Sequence, residues 1–317
     1  MMSANHFRFE KWYFDFALPT GEVIFFFLAK TRILGQKDFR LSLTVVSPRV
    51  APIHRSFVLE GFAAAKPSLA LLLLPGLQEF PSPSESEVRV RTFGDGFVLD
   101  LTFTRHPDAR PSADPMVIRR GKRQILWEPV HSRSIVRGQV RTHGRTWTAE
   151  GYDGYIDRLV TDIFPLFTPV RTLYWGRLHH PEGSLVYAVI PRLRPAALVT
   201  WESSRERLEF NRVQVSGRGT ATSPILGLDY PPAYTLNAQG PSASLRLDVE
   251  NIAPAVETGF IGNEGIPSGV ESRALNFLAR NPRGIKFFSR GRGHIDHQNQ
   301  ATEFKDASFF SEIVRFS

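Results

Sequence analysis

The feature that most constrains this chain is a rhythm. Short stretches alternate apolar and polar residues over roughly four to eight positions, which is the period of a half-buried strand. Such stretches include Val23–Lys30, Phe39–Val46, Gly96–Thr104, Ser134–Thr142 and Arg145–Gly151, then Thr172–Leu178, Ser184–Ile190, Arg207–Ser216 and Ser244–Asn251. Turn residues separate them, as in Pro19-Thr20-Gly21, Gly94-Asp95-Gly96, Thr142-His143-Gly144 and Pro181-Glu182-Gly183. Short strands at a spacing of about ten residues predict an all-β fold of barrels or sandwiches. Helical patterning is scarce, and Gly269–Leu278 is the best amphipathic candidate.

With 317 residues the chain is long enough for two ordinary domains. Asp162–Arg171 carries two prolines among large apolar residues near the middle of the chain. It predicts a linker (162–171) between an N-terminal half (1–161) and a C-terminal half (172–317). Phe80–Ser86 and Arg105–Pro115, rich in Pro, Ser and Asp, read as loops. No residue-level repeat relates the halves, which share only the strand rhythm.

Composition narrows the chemistry. Without cysteine there is no disulfide, thiolate nucleophile or cysteine-ligated metal. Phe is abundant, 25 residues against 7 Tyr, so rings without hydroxyls must fill a core or line an apolar pocket. The start, MMSANHFRFEKWYFDF, has no basic stretch followed by an apolar run and does not read as a signal peptide. The longest apolar run, Leu69–Leu74, is far short of the about 20 residues a helical membrane span needs. A cytoplasmic protein is expected. The net charge of +8 comes from arginines scattered along the chain, so a solvated basic surface is expected rather than a nucleic-acid site. Peripheral attraction to anionic lipid stays open. His294-Ile295-Asp296-His297 has metal-ligand spacing but nothing nearby completes a site, and the single Arg290-Gly291-Arg292-Gly293 repeat reads as a basic loop. No Gly-x-Ser-x-Gly element is present.

Three blocks together resemble the carotenoid 1,2-hydratase (hydroxyneurosporene synthase) family of lipocalin-like proteins. They are Glu10–Phe16 (EKWYFDF), Trp127–Asp157 (WEPVHSRSIVRGQVRTHGRTWTAEGYDGYID) and Leu173–Ile190 (LYWGRLHHPEGSLVYAVI). The second is similar to the block in which a Gly-Tyr-x-Asp element closes the first half. The third is similar to the Trp-Gly-Arg strand that opens the second. The resemblance implies two lipocalin-like antiparallel β-barrel halves in tandem, with few helices, a cavity for a lipophilic small molecule, and activity without cofactor or metal. It further implies hydration of a terminal isoprenoid double bond, cyclisation of a prenylated molecule, or guidance of a pericyclic ring closure. Where the family has Gly-Tyr-His-Asp-His, this chain has Gly154-Tyr155-Ile156-Asp157-Arg158. Tyr and Asp are kept and both histidines are replaced, which turns the expectation from carotenoid hydration towards cyclase or pericyclase chemistry.

Alkene protonation needs an acid that stays protonated near neutral pH, and burial among apolar groups raises a carboxyl pKa by desolvating its charged form. Asp157 is the candidate acid. If the strand continues unbroken, Trp147, Ala149, Gly151, Asp153, Tyr155 and Asp157 share one face. Tyr155 would then orient the acid or a water, Asp153 would be the second carboxyl, and Trp147 would line the cavity. Trp127 would offer a π face to a developing cation, and Trp175 of the third block would contact substrate. The alternative is a tight turn at Asp153-Gly154, which would break the shared face. Asp157 paired to Arg158 as a structural contact is a further alternative. Trp12, with Glu10, and Trp175, with Arg177, equally suit a tryptophan that plugs a barrel end. A carrier without chemistry remains the competing reading.

Overall fold

The computed structural model describes residues 7–33, 36–60, 85–94, 96–111, 114–164, 167–191, 193, 197–259 and 283–316. The expected helix at Gly269–Leu278 and most of the expected loop at Phe80–Ser86 lie outside these residues. Every regular element among the described residues is a strand. In chain order they are β1 (Phe7–Ala17), β2 (Val23–Ile33), β3 (Gln36–Val46), β4 (Ile53–Glu60), β5 (Glu87–Gly94), β6 (Phe97–Arg105), β7 (Met116–Arg120), β8 (Arg123–Thr142), β9 (Arg145–Thr161) and β10 (Thr172–His180). Then follow β11 (Gly183–Val189), β12 (Ala197–Glu202), β13 (Arg207–Glu209), β14 (Arg212–Arg218), β15 (Ala221–Thr222), β16 (Asp229–Tyr230), β17 (Ala233–Gln239), β18 (Ala243–Gly259), β19 (Arg283–His297) and β20 (Gln300–Arg315).

Two compact units form, one from Met1–Asp114 and Trp127–Val160, the other from Pro115–Leu126 and Thr161–Ser317. The first holds a sheet of order β4-β3-β2-β1-β9-β8-β6-β5, while β7 and the opening residues of β8 (123–126) belong to the second unit. The second holds the order β13-β12-β11-β10-β20-β19-β18-β17-β14. Each sheet therefore lays its own last long strand against its first: β9 on β1, and β20 on β10. The halves repeat in topology where they do not repeat in sequence.

The sheets curl into barrels. In the second, β13 and β14 stand at opposite edges of the sheet yet only Phe210 and Asn211 separate them in the chain. Phe210 N donates to Val199 O on one side at 3.0 Å, and Asn211 N donates to Gln239 O on the other at 3.0 Å. One bent strand thus joins the two ends of the sheet and curls it into a barrel. In the first, Phe57 of β4 meets Phe97 of β6 with ring centroids 4.6 Å apart, a contact across the curl between strands that are not neighbours.

The first core is built from rings, as the phenylalanine excess predicts. Trp12, Phe14 and Phe16 alternate along β1 and pack with Phe26 and Phe103. Phe14 stacks on Phe26 at 4.7 Å and tilts against Phe103 at 5.4 Å. The second core mixes aliphatic residues such as Leu185, Leu247 and Ile285 with buried tyrosines.

β1 covers the Glu10–Phe16 block, which lies ahead of Val23–Lys30, the first stretch read as a strand from its alternation. β8 begins well ahead of the expected Ser134, and β9 runs through Asp153-Gly154 to Thr161, so no turn lies there. Glycine explains the continuation. A Cβ at Gly154 would stand 2.4 Å from the Val136 side chain and 2.7 Å from the Asp15 carbonyl. Gly154 is a close-packing residue inside the sheet, where only a bare Cα fits.

Candidate functional site

β9 is a strand that changes face. Ala149 belongs to the first core with Trp147 packed against it, and so does Ile156 with Tyr152 against it. Odd-numbered residues face the core before Gly151 and even-numbered residues after it. Gly151 has φ +102°, the conformation of a bulge residue that lets the strand run on with its alternation reversed. The single shared face expected from Trp147 to Asp157 is therefore divided. Trp147 and Ala149 face the core, and Asp153, Tyr155 and Asp157 face the opposite side.

That opposite side is sheltered too. Tyr155 is fully buried and Asp157 is 5% exposed. Across from them β1 presents the residues that alternate with its core set, Tyr13 and Asp15, both buried. The Tyr155 and Tyr13 rings lie 6.4 Å apart at 59°, and Tyr13 stacks on Phe25 of β2 at 6.0 Å. The result is an aromatic layer carrying two phenols and two buried carboxyls on the non-core face of β1, β2 and β9. Sequence reading took Asp15 only as part of a structural block and left Tyr13 unremarked. The alternation in Trp12-Tyr13-Phe14-Asp15-Phe16 was the signal that could have found them.

The other candidate residues take different places. Asp153 is held by a fork from Arg133, with Nε to Oδ1 at 2.7 Å and Nη2 to Oδ2 at 3.0 Å, a strong planar pairing. Trp127 is buried on β8, the strand that borders β9. Trp175 lies in the second unit, buried on β10, with the Lys286 Nζ 5.9 Å from its ring centroid and Lys286 in turn paired to Glu312. A cation over the Trp175 ring is thus supplied by Lys286 from β19. Arg177 lies two residues along β10, itself buried.

Arg158 turns to the core side of β9. Its Nε donates to Glu10 Oε1 at 2.9 Å, its Nη1 stands 3.7 Å from Glu128, and its guanidinium lies 5.8 Å from the Trp12 ring centroid. Trp12 Nε1 donates to Glu10 Oε1 at 3.3 Å. This knot fixes Trp12, Glu10 and Arg158 together. Burial raises the Glu128 carboxyl above its usual range, against the opposing pull of Arg158.

His131 went unnoticed in the sequence. It is fully buried, with Nδ1 2.9 Å from the Ser134 hydroxyl and Nε2 2.8 Å from the Glu85 carbonyl. The carbonyl can only accept, so Nε2 carries the proton and Nδ1 accepts from Ser134. Burial lowers its pKa to about 4, with Arg105 adding to the effect. The ring is neutral at pH 7.

Among the described residues no group of three or more His, Asp or Glu could hold a metal ion. His294 sits 3.3 Å from Asp296, and His297 sits 2.7 Å from Glu206. No helix among the described residues is long and apolar enough to cross a membrane.

No family model matches this chain, and no curated protein sequence matches it significantly. Solved structures do. A protein described as an AttH from Nitrosomonas europaea aligns with a TM-score of 0.58 over 98% of this chain and 93% of its own, at 13% identity. Kievitone hydratase from Nectria haematococca aligns at 0.55 over 97% and 88%, with 11% identity. CghA with Sch210972 aligns at 0.52 over 98% and 88%, with 10% identity. Identities this low establish the fold, which is the tandem lipocalin-like barrel.

Proposed function

We propose that this chain is a cofactor-independent hydratase or cyclase that protonates an alkene of an isoprenoid or polyene, with Asp157 as the acid. The observation that carries the reading is Asp157 itself. Asp157 is buried on the non-core face of β9, two residues from the buried Tyr155, on the face that also carries the Tyr13–Phe25 aromatic pair. A fold built for stability alone has little reason to place carboxyls and phenols on such a layer. The fold shared with a kievitone hydratase supports the same class of chemistry.

In this reading the Asp157 O–H bond breaks as a C–H bond forms at the less substituted alkene carbon. The tertiary carbocation is then quenched by water or by an internal double bond. The proton released at the end returns to the carboxylate. Tyr155 hydrogen-bonds the acid or the attacking water, and Trp127 supplies a π face to the cation. Asp153, neutralised by Arg133, shapes the site.

The test is turnover in deuterated water with a panel of linear isoprenoids and polyenes, read by mass spectrometry. Carbon-bound deuterium is expected, with or without added water. An isomer free of deuterium would replace this mechanism by a pericyclic one, and tight binding without conversion would make the protein a carrier. Asp157→Asn should lower kcat by about a thousandfold or more while leaving ligand affinity within about threefold. Unfolding of the variant would identify Asp157 as structural instead.

A further inference from the structure

The second barrel has an open end that the reading above does not use. Three hairpins frame it: His180–Gly183, Glu202–Arg207 and His297–Gln300. The rim is tied across the opening. Glu206 Oε1 meets His297 Nδ1 at 2.7 Å and joins the second hairpin to the third, although their strands are not neighbours in the sheet. The Thr302 hydroxyl donates to Glu182 Oε2 at 2.8 Å and joins the third to the first. Ser203 tightens its own hairpin, with its N donating to Glu206 O at 2.9 Å and its hydroxyl accepting from Glu206 N at 3.2 Å.

Inside this rim lies a pocket of about 620 Å³. Its floor includes Trp201, Leu208 and Ile295, and its walls carry Arg205, Glu206 and Gln300. The floor is held in place. Trp201 packs edge-on to Phe304 at 5.6 Å, and a Cβ at Gly183 would stand 2.7 Å from its ring. A second hollow of about 610 Å³ adjoins the first, sharing Glu182 and Ala301 with it, and is lined by His179, His180, Glu303 and Lys305. The His180 ring lies 6.2 Å from Trp201 and so bridges the two lobes.

We propose that this two-lobed groove binds a short, uncharged oligosaccharide. The chemistry of the lining selects the class. Carboxylates (Glu182, Glu206, Glu303) and cationic or imidazole groups (Arg205, Lys305, His297) stand together, and Glu303 and Lys305 pair with each other at 2.8 Å. An anion or a cation would meet a like charge in either lobe. A ligand with many hydroxyls finds carboxylate acceptors, guanidinium and ammonium donors, and an amide that does both. Trp201, Leu208 and Ile295 are themselves almost wholly buried, so they close the floor and the polar walls make the contacts. Each lobe has the volume of an ordinary ligand site, and the shared wall suits a chain that runs from one to the other. Because the hairpins are already tied together, little ordering cost falls on binding.

The experiment is an NMR titration of the full-length protein with maltohexaose, cellohexaose and xylohexaose, and with a hexagalacturonate as the charged control. Saturable shifts of the Glu182, Ser204 and Gln300 amides with at least one neutral hexamer are expected. Ser204→Trp, on an exposed rim position, should weaken that binding about tenfold or more. Gly183→Ala, which displaces Trp201, should do the same. The proposal fails if no neutral hexamer shifts these amides, if Ser204→Trp binds as well as the parent, or if the galacturonate binds as tightly as the neutral chains.

Discussion

The two barrels share a strand order and differ in what fills them. In the first, the strand pair that closes the topology, β1 on β9, faces a stack of Phe14, Phe16, Phe26 and Phe103. In the second, the equivalent interior holds a chain of hydroxyls. Tyr187 and Tyr234 share a hydrogen bond of 2.7 Å, Tyr234 bonds Ser311, Ser311 meets Ser289 at 2.7 Å, and Ser289 donates to Asn251 Oδ1 at 3.0 Å. Asn251 Nδ2 ends the chain on the Pro231 carbonyl at 3.1 Å. These residues come from β11, β17, β20, β19 and β18, so the network pins five strands at once. Burial pushes both tyrosine pKa values up, which keeps the hydroxyls neutral and able to donate. One topology thus tolerates two solutions: rings that need only fit, and polar groups that must each find a partner.

The non-core faces differ in a parallel way. Each closing strand carries an acid there, Asp157 on β9 and Glu312 on β20. Glu312 is matched to the buried Lys286 over the Trp175 ring. Asp157 is buried on the face that carries Tyr155, Tyr13 and Phe25, where Lys11 Nζ stands 5.5 Å from the Phe27 ring centroid.

Four changes would sharpen or break this contrast. The largest effect is expected from Phe14→Ala, which removes the centre of the ring stack and should cost about 3–5 kcal/mol in urea denaturation. Hydrogen exchange should place the loss at Leu28 before Leu247; equal loss at both would end the separation of the cores. Lys286→Met leaves Glu312 without its partner and should cost about 3 kcal/mol. The double change Lys286→Met with Glu312→Leu should recover most of it, and failure to do so would show that packing rather than charge governs that face.

The third change is in pH. His131 has a folded pKa of about 4, below its usual 6.5. The unfolded chain therefore binds the proton more readily, and the stability His131 contributes is present above the unfolded value and lost as pH falls towards 4. The span corresponds to about 3 kcal/mol. His131→Gln should flatten the dependence of the urea midpoint on pH between about 6.5 and 4; an unchanged slope would place the titrating group elsewhere. The smallest effect is expected from Tyr234→Phe, which strands hydroxyls of the network at a cost of about 1–3 kcal/mol. If it is neutral, the second core behaves like the first.

Strand rhythm made the all-β class legible, and the three sequence blocks fall on β1, on β8 with β9, and on β10 with β11. The amino-acid order made most strands legible and showed that rings rather than thiols fill the interior, and it singled out the Asp157 carboxyl as a candidate; it missed β1, β7 and β19, the last of which takes in Arg290–Gly293, read from sequence as a basic loop, because paired to β18 and β20 that stretch is a strand. It could not settle which way that carboxyl faces. Alternation is a local rule, and at Gly151 one residue at φ +102° reverses it for everything that follows. It could not reveal the Arg133–Asp153 fork, the neutral His131 or the Tyr187–Tyr234 chain either, because each joins residues far apart in sequence. Periodicity is written residue by residue, whereas register and partnership exist only once strands lie side by side.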